Sequence, residues 1–231
     1  MQSYQKLQFD LIEKIECDFR EGKEPSTIVE PVPDYIHDDR ICLTAISFLP
    51  QEVEDEIITK IIKPLREADS RQYFYVPSSF HVTIQNVRTI ANPPLFNDRD
   101  IEKTKDVFER MVPQFNAPQF SLEGIFILPT SLSVCAFTSQ EFGSMVKRLR
   151  IELEKNGVED NKKYADENII LANSTFCRFT TDPNEDFMEK VKDLKKVKVG
   201  QFTPASLSLV ETNCVCLPEK TNVIASYSFR K

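Results

Sequence analysis

The chain has 231 residues, 41% hydrophobic and 28% charged, with 29 Lys and Arg against 36 Asp and Glu for a net charge of −7. This suits a folded core that needs no disulfide or metal staple, and the acidic balance argues against holding long DNA or RNA by phosphate neutralisation. Five scattered glycines exclude a glycine-rich phosphate loop, and two histidines, His37 and His81, leave no multi-histidine metal site.

The first predicted element is a helix with Leu7, Leu11, Ile12, Ile15 and Phe19 on one face, ended by Gly22. Residues 23–39 hold Pro25, Pro31 and Pro33 without periodicity and read as an ordered connector. Residues 41–48 read as a buried strand. A helix follows that buries Ile57, Ile58, Ile61, Ile62 and Leu65, with Pro64 expected to end or kink it. A short strand is expected at 73–76 and a long one at 80–90. After these come a helix at about 100–112 and a strand at 119–128.

Past Pro129 the order restarts. A strand is expected at 132–137, then a helix opened by a Thr138/Glu141 capping box and closed by Gly157. A long strand at 168–179 follows. Asp182, Pro183 and Glu185 read as the N-cap, first turn and third position of another helix. Closing strands are expected at 202–216 and 223–229. The β-α-β-α-β order thus occurs twice. Ile41 to Ser131 spans 90 residues, His81 to Asn173 spans 92, and Phe120 to Phe202 spans 82. This predicts an internal duplication. It makes the chain α+β and two-lobed, with antiparallel-dominated sheets and outer helices. An N-terminal helix and connector (1–39) would precede a domain at 40–231, its lobes at about 40–128 and 131–231.

Six cysteines stand in a chain whose polar start shows no signal peptide and which has no long apolar run. They are expected to be reduced thiols in a cytoplasmic protein without a membrane anchor. Cys214 and Cys216 fit no zinc spacing, and on an alternating strand they would share a face. No metal or cofactor is expected.

Two strings correspond across the duplication: Phe80-His81-Val82-Thr83-Ile84 and Ala172-Asn173-Ser174-Thr175-Phe176. On a strand, positions i and i+2 share a face, so His81 and Thr83 point the same way about 7 Å apart, as do Asn173 and Thr175. A pseudo-twofold would bring both pairs to one cleft.

These residues resemble the 2H phosphoesterase superfamily, the 2′-5′ RNA ligase-like and cyclic phosphodiesterase proteins, whose mark is two H-x-[T/S]-x motifs on duplicated lobes. The resemblance covers about residues 40–229. It includes Leu49-Pro50, Tyr75-Val76-Pro77, Gly124, Arg178 five residues after Asn173, Glu211-Thr212 and Tyr227. It implies metal-independent hydrolysis of 2′,3′-cyclic or 2′-5′-linked nucleotide phosphates, chemistry of RNA processing. His81, Thr83 and Thr175 would be the catalytic residues, and Asn173, Tyr75 and Arg178 would bind substrate. The partner would be a small nucleotide or a short RNA, and the chain a monomer. One imidazole would move a proton while the threonine hydroxyls bind phosphate oxygens.

The second histidine of that pattern is Asn173 here, and an amide transfers no proton near neutral pH. Three readings stay open: a degraded or altered enzyme, a pseudoenzyme that binds the ligand, and an interaction protein with a vestigial cleft. His37 or Cys177, which alternation places on the face of Asn173 and Thr175, are the candidates to stand in for the missing group. A solvated surface role for His37 and a core role for Cys177 are the plainer readings. Tyr73, Phe74 and Tyr75 are candidates for base stacking, with simple packing as the alternative. The basic run at 190–198 reads as a solvated helix face.

Overall fold

The computed structural model describes residues 3–230. It has nine strands and six α-helices among those residues. The first sheet has the order β3-β1-β8-β9, from β1 (Ile41–Phe48), β3 (His81–Ala91), β8 (Ser206–Thr212) and β9 (Asn222–Ser228). The second runs β2-β6-β5-β4-β7, from β2 (Tyr73–Phe74), β4 (Phe120–Leu128), β5 (Ser131–Phe137), β6 (Asn173–Arg178) and β7 (Lys198–Phe202). Every pairing within them is antiparallel. The sheets do not follow the two halves of the chain: β2 and β4 cross into the second, and β8 and β9 complete the first. Contiguous lobes at 40–128 and 131–231 therefore do not coincide with the sheets. One continuous core joins them, with Leu43, Phe80 and Val82 packed in the same cluster as Leu132, Val134 and Phe176.

The helices are α1 (Tyr4–Arg20), α2 (Gln51–Ile57), α3 (Lys63–Ala68), α4 (Asp98–Met111), α5 (Gln140–Lys155) and α6 (Glu185–Asp193). No helix among the described residues is long and apolar enough to cross a membrane. Pro64 does not end its helix. A π-helical turn, Ile58–Ile62, precedes it and the chain continues helically to Ala68, the wider turn making room for the ring and the absent N–H. The expected Thr138/Glu141 box is absent: Ser139 is the N-cap, and the Thr138 hydroxyl donates to the Gln119 carbonyl instead (3.0 Å). The last helix starts at Glu185 with Asn184 as N-cap, its Oδ1 accepting from Phe187 N (2.8 Å), so Asp182 is not the cap.

The long strand expected from residue 168 begins only at Asn173. Upstream, the backbone is held by side chains. Asp166 Oδ1 accepts from Asn168 N and Ile169 N (2.7 and 2.8 Å). The Tyr4 hydroxyl accepts from Ile170 N (2.8 Å), and Gln8 Nε2 donates to Ile170 O (2.8 Å). Residues 168–172 thus depend on α1, a partner no local pattern could reveal. The basic run at 190–198 is not one helix face: α6 ends at Asp193 and Lys198 opens β7, which sequence periodicity missed. Lys195 instead pins the buried Glu16 and donates to Ile125 O (2.8 Å).

Leu11, Ile12 and Ile15 of α1 pack on Phe126, Cys135 and Phe137. Gln8, 1% exposed, joins Ile170 O to Thr138 N. Gln8→Ala leaves both backbone groups unpaired, and each such loss removes roughly 1–3 kcal/mol. Urea denaturation of the variant is expected to show about 2–6 kcal/mol less stability; an unchanged midpoint would mean that this amide does not fasten the helix.

Candidate functional site

A cleft of about 350 Å³ is lined by His81 and Thr83 from β3 and by Asn173 and Thr175 from β6. The two motif pairs therefore face one space, as the duplication predicts. Strand alternation directs each pair: Val82, Ser174 and Phe176 turn into the interior, and the residues between them face the cleft.

The His81 ring is half-buried. Its Nδ1 lies 2.7 Å from the Ser79 carbonyl, and because a carbonyl only accepts, Nδ1 carries the proton and Nε2 is left to exchange one. Ser79 is itself fixed, its hydroxyl donating to Cys216 O (2.8 Å). The Cys216 side chain meets the His81 ring. Burial disfavours charge on both groups, but their mutual attraction outweighs it, raising the His81 pKa above 6.5 and lowering that of the thiol. Cys216 reaches this position because it leaves the strand. β8 ends at Thr212, Cys216 adopts φ 51°, and the side chain of Asn213 accepts from Val215 N and Leu217 N (3.4 and 3.0 Å). Cys214 and Cys216 therefore share no strand face, contrary to the alternation argument. All six cysteines are free.

On β6, Asn173 Nδ2 donates to Ser133 Oγ (2.9 Å), and Ser133 Oγ lies 3.0 Å from Thr175 Oγ1. Ser133 has one proton. Its oxygen accepts from Asn173, and in the contact with Thr175 either hydroxyl can be the donor; where Ser133 donates, the Thr175 hydrogen is free for a ligand oxygen. Ser133 was not foreseen, since only the β5–β6 register places it opposite Thr175.

Arg178 also lines the cleft, and a β-bulge puts it there. Ser133 pairs with Thr175 while Leu132 pairs with Cys177, so one step on β5 matches two on β6. The bulge reverses the alternation. Cys177 turns into the core at 0% exposure, so it does not share the face of Asn173 and Thr175, and burial raises its pKa. Arg178 Nε donates to the Tyr75 hydroxyl (3.1 Å) and Nη2 to Cys214 O (3.3 Å), and Tyr75 donates to the same carbonyl (2.8 Å). With its hydroxyl so engaged, Tyr75 orients Arg178. Tyr73 and Phe74 do not line the cleft: Tyr73 packs on Tyr35 and Phe74 on Phe187. His37 stands 81% exposed on Asp34 (2.6 Å) and is outside it too.

Further cations rim the space. Arg40 is paired with Asp38 (2.9 Å), and the Arg150 guanidinium lies 3.6 Å from the centre of the Tyr164 ring. Among the described residues no group of three His, Cys, Asp or Glu side chains is arranged to hold a metal.

No family model and no curated protein sequence matches the chain. Solved structures match in fold. The TT0787 protein of Thermus thermophilus aligns with a TM-score of 0.60 at 17% identity, over 83% of this chain and 98% of its own. The conserved protein ATU0111 of Agrobacterium tumefaciens gives 0.56 at 15%, over 79% and 85%. Escherichia coli LigT, crystallised with ATP, gives 0.54 at 10%, over 84% and 100%. The fold is therefore LigT-like, which fits the superfamily resemblance carried by the two motifs.

Proposed function

We propose, with the LigT-like fold as premise, that this chain is a 2H phosphoesterase-like protein whose cleft holds a small nucleotide by its phosphate. The observation that carries this reading is the convergence of both motif pairs on one cleft, with His81 and Thr83 on one strand and Asn173 and Thr175 on another. LigT has been crystallised with ATP and with NADP+, which supports a small nucleotide as the ligand class here. The Thr83 and Thr175 hydroxyls and the Asn173 amide are donors for nonbridging phosphate oxygens, and Arg178 supplies positive charge beside them. His81 is the one imidazole placed to move a proton. The substrate class is a nucleoside 2′,3′-cyclic phosphate or a 2′-5′ linkage, turned over with a single histidine and therefore slowly.

Binding is the direct test. Ligand at 100 times its Kd stabilises a native state by about 2.7 kcal/mol, which for a chain of this size is roughly 5–10 °C in Tm. Thermal unfolding with each 2′,3′-cyclic nucleotide, in EDTA, is expected to show such a rise for at least one of them. If none of them moves the Tm at millimolar concentration, the cleft is vestigial and the chain is an interaction protein. A rise without hydrolysis would identify a binding pseudoenzyme, a role that the Asn173 amide, wired to Ser133 as a donor, also suits.

A further inference from the structure

The loop at residues 158–171 leaves α5 and straps across β3, the strand that carries His81. Asp160 accepts from Gln85 Nε2 (2.7 Å) and Asn86 Nδ2 (2.8 Å). Asn161 accepts from Thr89 N (2.9 Å) and donates to Thr89 Oγ1 (2.8 Å), and Lys163 N donates to Thr27 Oγ1 (2.9 Å). These bonds hold the intervening Lys162 at the cleft wall.

Lys162 is half-buried there, and its ammonium makes no ion pair or hydrogen bond among the described residues; it lies 5.5 Å from the centre of the Tyr164 ring. Asp160 is the nearby carboxylate, but it is already occupied by Gln85, Asn86, the Tyr164 hydroxyl (2.5 Å) and the Lys162 backbone N–H (2.9 Å). Arg178, buried at 8% exposure, bonds only neutral oxygens, those of Tyr75 and Cys214. A chain of net charge −7 thus turns two cations without an ion-pair partner among the described residues into one cleft. Burial, opposed by the field of Asp160 and reinforced by those of Arg150 and Arg178, lowers the Lys162 pKa. An incoming anion relieves that stress.

We propose that Lys162 forms an anion subsite for a second phosphate, beyond the one held by His81, Thr83 and Thr175, so that the cleft selects a nucleoside 2′,3′-cyclic phosphate carrying a 5′-phosphate over one without it. This rests on the phosphate-binding reading of the cleft and adds a second anion position to it. One phosphate suffices for the threonine hydroxyls and Arg178. The separate, strapped ammonium has work only when the ligand brings further charge.

The probes are adenosine 2′,3′-cyclic phosphate and its 5′-phosphorylated form, titrated calorimetrically into the full chain. Wild type is expected to bind the 5′-phosphorylated probe at least about tenfold more tightly, as a partly desolvated charge-assisted contact allows. Lys162→Gln should reduce that preference to within about twofold while leaving affinity for the unphosphorylated probe unchanged, and Lys162→Arg should keep it. The preference should also shrink from low to high salt. Equal wild-type affinity for the two probes, a comparison that needs no variant, overturns the subsite and leaves the phosphate reading standing. A full preference retained in Lys162→Gln overturns the assignment to Lys162. Failure of both probes to bind removes the phosphate reading, and this inference with it.

Discussion

His81→Ala is expected to lower hydrolysis of 2′,3′-cyclic nucleotides by roughly 10²–10⁴-fold, the usual contribution of a positioned acid–base group. His37 is exposed on Asp34 away from the cleft, so no second imidazole can take over. The pH profile carries independent information. Burial disfavours the charged ring, but Cys216 and the Ser79 carbonyl together hold its pKa above 6.5. A ring kept protonated to higher pH is an acid rather than a base. Activity should therefore be full below the inflection, fall as pH rises through it, and show that inflection above 6.5. Cys216→Ser removes the sulfur partner whose attraction raises the His81 pKa and should move the inflection down without abolishing turnover. A rate that climbs with pH across the same range would make His81 the base. A His81→Ala variant as active as wild type would place the chemistry elsewhere.

Asn173→His is expected to raise turnover by at least about tenfold, with the same 10²–10⁴ as its ceiling. The position is half-buried at the start of β6, and its side chain already donates to Ser133 Oγ (2.9 Å). A histidine that donates one ring N–H to that oxygen would present its other nitrogen to the cleft, and two imidazoles could then divide the acid and base roles. The gain should vanish in the double variant with His81→Ala, because it depends on both rings. No gain in a folded single variant would show that the cleft has drifted too far for one residue to restore it.

Much of this architecture was readable from the residues. Short apolar-rich runs located β1, β3, β4 and β5, and the spacing between halves paired His81 with Asn173. Alternation sent His81, Thr83, Asn173 and Thr175 into one cleft, because side-chain direction on a strand follows from the backbone period alone. Properties that depend on distant partners were not readable. The bulge at Phe176 aims Arg178 at the cleft and Cys177 at the core, and it arises from register with β5. The left-handed turn at Cys216 seats a thiol on His81, and it is held by Asn213 and Ser79. Residues 168–172 are held by Tyr4 and Gln8, more than 160 positions earlier. The sequence alone determined the repeated element order and the motif residues, since both are written in local periodicity. Only the tertiary structure decided the exchange of strands between sheets and the cation that the strapped loop sets over the cleft, because those follow from contacts between segments far apart in the chain.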